Sequence, residues 1–224
     1  MEQKRYISRM KCLWLLLVVT LGVNCKNSEN TRINSNGEKN TFIIELPKAG
    51  PDLYYQFSKS INEQLSLKEL EKGVDSLELR LTEHAEITNL YTTHVLKLIS
   101  NEWKGYRYHY WKALGRDWKS INIDSMIMYA YPEVVRVKVK SALDSMLAEG
   151  LMELPSQHDI KGFESRVSDG TTYYFEIATK NRYKFYYYNT PEAYDYPECV
   201  QMTKILDIWR RNIGGITFNH MRKQ

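Results

Sequence analysis

The chain lacks the motifs from which an activity is ordinarily read. Its 224 residues contain no G-x-S-x-G, no G-x-x-x-x-G-K-[ST], no G-x-G-x-x-G, no H-E-x-x-H and no C-x-x-C. No cofactor is therefore assigned. His84-Ala85-Glu86 has the H-x-E of a zinc deaminase, but Pro197-Glu198-Cys199 does not supply the P-C-x-x-C that must accompany it. His84 and His94 flank one loop, and Glu83 or Glu86 beside them is the nearest approach to a metal set. Two solvated loop histidines is the simpler reading, and no metal is assigned. Cysteine is scarce: Cys12, Cys25 and Cys199 cannot build a disulfide framework. Long apolar runs are scarce too. Leu13–Val23 is about half of the ~20 residues that a membrane-spanning helix needs. No repeat of fixed period is present.

What is there begins with Lys4, Arg5, Arg9 and Lys11, then the apolar run, then Cys25. Residues 1–24 read as a secretory signal and are set aside from the fold. A basic start, a short apolar core and a following cysteine resemble the precursor of a bacterial lipoprotein. Gly22 and Asn24 depart from that family's pattern, which has Leu and a small residue in those places. The resemblance implies that Cys25 is lipidated and that the membrane partner is reached through the lipid. Lys26 after the cysteine favours the outer membrane over the inner. Plain secretion stays open, with a periplasmic or extracellular product in which Cys25 is free to bridge Cys199. The signal carries Glu2 against four basic residues, so most of the +4 charge leaves with it. The remainder is close to neutral and gives no reason to expect nucleic acid.

Residues 25–41, rich in Asn and Ser, read as a flexible polar tether. One domain follows over 42–215, and 216–224 reads as a tail. Phe42–Leu46 is a short strand. Leu53, Phe57, Ile61 and Leu65 recur every four residues and predict a helix. Ser66 and Glu69 suit a capping box for a second short helix, closed by Gly73. Ser76–Leu81, His94–Ser100 and Trp103–Trp111 predict an antiparallel meander, with Ile121–Tyr131 as a further strand. Residues 133–149 hold helical spacing, with Gly150-Leu151 as the stop. Thr171–Asn189 predicts a hairpin turning at Lys180-Asn181, where Asn would supply a left-handed conformation. Asp195-Tyr196-Pro197-Glu198 opens the last helix. The fold class is α+β, a mainly antiparallel sheet (meander plus C-terminal hairpin) with helices packed on one face.

The hairpin is expected to bury one face and expose the other. Tyr174, Tyr186 and Tyr188 then share a face opposite Phe175 and Phe185. Arg107, His109 and Trp111 form a similar outer row. Such a face suits a saccharide or a protein partner: flat rings stack, while hydroxyls and guanidinium donate hydrogen bonds. Binding or assembly at the cell envelope is the leading reading, ahead of catalysis. A hydrolase of saccharide or cell-wall material is the alternative, and would pair Glu176 with Glu102 or Asp117. An inhibitor or interaction protein for another envelope protein is the third.

Overall fold

The computed structural model describes residues 28–33, 39–48, 53–112, 123–130 and 133–214. Cys25, the signal segment and the tail 216–224 lie outside them. The strands are β1 (Ser28–Ile33), β2 (Lys39–Glu45), β3 (Leu77–Ala85), β4 (Leu90–Ile99), β5 (Glu102–Lys112), β6 (Ile123–Ala130), β7 (Thr171–Thr179) and β8 (Arg182–Asn189). The helices are α1 (Leu53–Gln64), α2 (Glu133–Ala148) and α3 (Pro197–Asn212). The strands form one sheet in the order β1-β2-β8-β7-β3-β4-β5-β6. Every neighbouring pair is antiparallel except β2 with β8. The fold is α+β, and the C-terminal hairpin is inserted between β2 and the β3–β6 meander. Among the described residues no helix is long and apolar enough to cross a membrane.

Ser28–Ile33 was expected to lie in a tether and is instead a strand. It pairs antiparallel with β2 over six residues. An edge strand needs only backbone partners, so a segment with Ile33 as its single apolar residue was not excluded from being one. Beyond α1, Ser66 caps no helix. It adopts a left-handed φ of 54°, and only a 3-10 turn over Leu70–Lys72 follows. Gly73 does end that turn, at φ 77°, with Phe42 of β2 close against it.

The helices do not share one face. Tyr54 of α1 packs on Tyr174 and Tyr187, with centroids 5.8 and 4.4 Å away. Ile61 and Leu65 bury against Tyr91, Val95, Tyr108 and Tyr110. On the opposite face, α2 and α3 bury Val139, Met146, Met202, Leu206 and Trp209 against Leu79, Leu81, Leu96, Phe175 and Ile177. β7 and β8 lie between these layers, and both of their faces are covered. Residues 172–178 and 183–188 are all buried. That is why both faces of this hairpin are aromatic or apolar, with Glu176 and Lys184 its only buried charges.

The two-residue turn at Lys180-Asn181 is where the sequence placed it, but it pairs odd with even positions. Phe175 lies opposite Tyr186, and Tyr174 opposite Tyr187. Tyr186 and Tyr188 therefore share a face with Phe175, not with Tyr174. Phe175 and Tyr186 stack at 5.1 Å, worth ~0.5–1.5 kcal/mol beyond their burial. Asn181 is not left-handed. That conformation appears in the β4–β5 turn, at Ser100 (φ 50°) and Asn101 (φ 66°), where two consecutive positive φ values match the strand twist.

α2 resolves a segment whose valines alternate like a strand and also repeat like a helix. Val139, Ala142, Leu143 and Met146 are buried along one side. Gly150, at φ 82°, stops it: its N–H donates to the Leu147 carbonyl and that of Leu151 to the Met146 carbonyl.

Candidate functional site

The expected binding face does not exist as one surface. Tyr186 and Tyr188 are buried beneath α2 and α3, and the Tyr186 hydroxyl donates to the Leu151 carbonyl at 2.9 Å. Tyr174 is buried on the other side, beneath α1.

Arg107, His109 and Trp111 do share a side of β5, but it is the side that α2 and α3 cover farther along the sheet. Arg107 is buried, while His109 and Trp111 are half-buried. His109 Nδ1 lies 2.9 Å from Thr92 Oγ1. Burial, with Arg107 nearby, holds His109 near a pKa of about 4. His94 stands opposite Arg107 and meets the Trp209 ring edge-on at 5.0 Å. Burial first, then Arg107 and His109, lower His94 to about 3. Both imidazoles are therefore neutral at neutral pH. Partly buried Glu83, 3.9 Å from His94 Nε2, has its carboxyl raised by desolvation against the opposing pull of Arg210. Arg210 in turn donates to the Tyr173 hydroxyl at 2.6 Å. This group is a polar seam between the sheet and α3, not a stacking platform.

His84 and His94 do not meet. Register places Leu81 across from His94 and His84 across from Tyr91, so the two histidines point to opposite faces. Among the described residues no group of three His, Cys, Asp or Glu could hold a metal ion.

Glu176, common to both carboxylate pairs of the saccharide-hydrolase reading, has a structural role. Glu176 is saturated by structural partners: Asn62 Nδ2 at 2.8 and 3.1 Å, the Tyr183 hydroxyl at 3.0 Å, and Arg80 at 3.8 Å. Glu102 is exposed where β4 turns into β5, and Asp117 lies outside the described residues.

One concave site lies elsewhere. The first turns of α1 stand over one end of the sheet and line a half-open cleft of about 200 Å³. Leu53, Tyr54 and Phe57 come from α1, His84 from β3 and Glu86 from just beyond it. Tyr91, Lys112 and Tyr174 come from β4, β5 and β7. His84 and Tyr91 stack at 3.9 Å with their planes 4° apart, making one flat wall. Lys112 Nζ sits 5.0 Å over the Phe57 ring. Thr172 Oγ1 donates to Glu86 Oε1 at 2.7 Å, and His84 Nδ1 lies 3.7 Å from the same oxygen. Burial lowers the His84 pKa more than Glu86 raises it, so the ring is neutral at neutral pH. Burial and the Glu86 charge push the phenols of Tyr54, Tyr91 and Tyr174 upward, and all three keep their protons.

No family model, no curated protein and no solved structure matches this chain. What marks the site is its geometry. One carboxylate and one ammonium stand on different walls, with aromatic rings between them and neutral hydroxyls beneath. Such a cavity can stack a ring and hydrogen-bond its polar substituents.

Of the residues picked from sequence, only Tyr174 lines it. In the sequence Glu86 and His84 stand out only as candidate metal ligands. Tyr54, Phe57, Tyr91 and Lys112 were missed. Tyr54 and Phe57 lie three apart on one helix face, which sequence shows. Which strands lie under that face is decided by the sheet order.

Proposed function

We propose that this chain is a lipid-anchored cell-envelope protein that binds a small polar ring, such as one unit of a saccharide, in the cleft beneath α1. The observation that carries the reading is the cleft itself: the stacked His84–Tyr91 wall, Tyr54 and Phe57 above, and Glu86 and Lys112 at the polar positions. Its charges nearly cancel, since His84 is neutral. That favours an uncharged polyhydroxyl ring over an ion. Its volume of about 200 Å³ falls below the ~300–1,000 Å³ of sites that enclose drug-sized ligands. A single ring, or the end of a longer chain, suits it. Lipid on Cys25 would provide the membrane contact, with the outer membrane favoured over the inner by the residue after it.

Two experiments test this. Metabolic labelling with a palmitate analogue in a bacterial host should mark the native chain and not Cys25→Ala; absence of label from both sinks the anchor. Calorimetric titration with a panel of neutral monosaccharides and aminosugars tests the cleft. Glu86→Gln should weaken binding at least tenfold while leaving the melting temperature within a few degrees. A panel with no binder at millimolar concentration, or binding untouched by Glu86→Gln, defeats the ligand reading.

A further inference from the structure

β6 closes the sheet at the end opposite β1, and among the described residues nothing pairs with its outer edge. Its sequence is IDSMIMYA. Met126 is 46%, Ile127 45% and Met128 54% exposed. Methionines and isoleucine alternate, so apolar side chains stand exposed on both faces of one strand. Proteins usually guard such an edge with lysine, proline or a charge pointing inward. The far edge, β1, has Glu29 and Arg32 in its six residues. β6 has Asp124 alone, near its start.

The order of residues in β6 says what fits it. In an antiparallel pairing about a two-fold axis at Ile127, Met126 falls opposite Met128 of the copy on one face. Ile127 falls opposite its own counterpart on the other. Asp124 falls opposite Ala130, so the two carboxylates never face each other. Every exposed apolar side chain gains an apolar neighbour at cross-strand distance, and no like charges meet. A parallel in-register pairing would set Asp124 against Asp124. The strand is self-complementary in one orientation, as an isologous interface requires. Methionine side chains adapt to such a seam.

We propose that β6 is a dimerisation edge, pairing antiparallel with β6 of a second copy about Ile127 and joining two eight-stranded sheets into one. The inference does not depend on the ligand cleft or the lipid anchor. The test uses the full chain with Cys12→Ser and Cys25→Ser, which leaves buried Cys199. Sedimentation velocity should give one species of twice the chain mass across the micromolar range. Ile127→Lys sets two ammonium groups against each other at the axis and should halve that mass, with far-UV circular dichroism and melting unchanged. Asp124→Lys faces Ala130 and should leave the dimer intact. Ile127→Cys should cross-link under mild oxidation and Asp124→Cys should not. A single-chain mass for the unsubstituted protein overturns the proposal. So does a dimer that survives Ile127→Lys, equal cross-linking at both positions, or mass that grows without closing at two.

Discussion

Arg80 offers the sharpest test of how the sheet holds α1. It is 1% exposed on the face beneath that helix. Its Nε donates to Glu78 at 2.8 Å and its Nη2 to the Lys68 carbonyl at 2.6 Å, while Nη1 lies 3.8 Å from Glu176. Glu176 in turn accepts from Asn62 of α1. The guanidinium thus lies between two buried carboxylates and ties the connection after α1 to β3. Arg80→Met keeps much of the volume and removes the charge. Glu78 is then left with Lys97 at 3.3 Å, and the Lys68 carbonyl loses its donor. Taking one partner from a buried pair costs about 3–5 kcal/mol, because the remaining charge is stranded. At roughly 2–4 °C per kcal/mol for a domain of this size, the melting temperature should fall by about 6–20 °C. The quantity to measure is a double-mutant cycle by urea denaturation, with Arg80→Met, Glu78→Gln and the pair. The coupling should reach about 1–3 kcal/mol, since neutralising Glu78 removes one stranded charge. Strictly additive single variants, or a loss below about 1 kcal/mol for Arg80→Met, would refute the reasoning.

Acid should weaken the fold through His94. Its folded pKa of about 3 lies below the ordinary ~6.5, so the unfolded chain takes up the proton first. Its contribution is complete above pH 6.5 and is lost as pH falls toward 3. His109, lowered to about 4, acts in the same direction, whereas the raised carboxyl of Glu83 acts against it. Between pH 7 and 5 the loss from His94 should be about 2 kcal/mol at ~1.4 kcal/mol per unit. His94→Gln should flatten that limb of the stability curve, and an unchanged slope counts against the assignment. Trp209, fully buried against His94, should cost about 3–5 kcal/mol as Trp209→Ala in chemical denaturation; a loss under 1 kcal/mol would mean that α3 does not pack as described. Cys199 is fully buried, and burial raises its thiol. In a chain carrying Cys12→Ser and Cys25→Ser it should react with a thiol reagent only in denaturant, and fast labelling of that folded chain would contradict its place in the core.

The sequence alone determined what depends on near neighbours. The four-residue spacing from Leu53 to Leu65 made α1 a helix, and the turn at Lys180-Asn181 lies where the hairpin reading put it. Gly150 with Leu151 ended α2 because a left-handed residue and a following apolar contact are local requirements. The α+β class followed from strands grouped in hairpins. The same local reasoning misjudged the hairpin's faces. Alternation shows that a strand has two sides, but not that both are covered. Tyr174 and Tyr186 have similar sequence surroundings, yet α1 packs over one and α2 with α3 over the other. The two-residue turn puts them on opposite faces, and the insertion of β7 and β8 between β2 and β3 decided that both faces are covered, through long-range backbone pairing that no short window contains. The cleft is a product of the same insertion. Tyr91 and Tyr174 are 83 positions apart and meet beneath Tyr54 because β3 lies between their strands, and sheet order is set by the whole chain's burial rather than by any residue's preference.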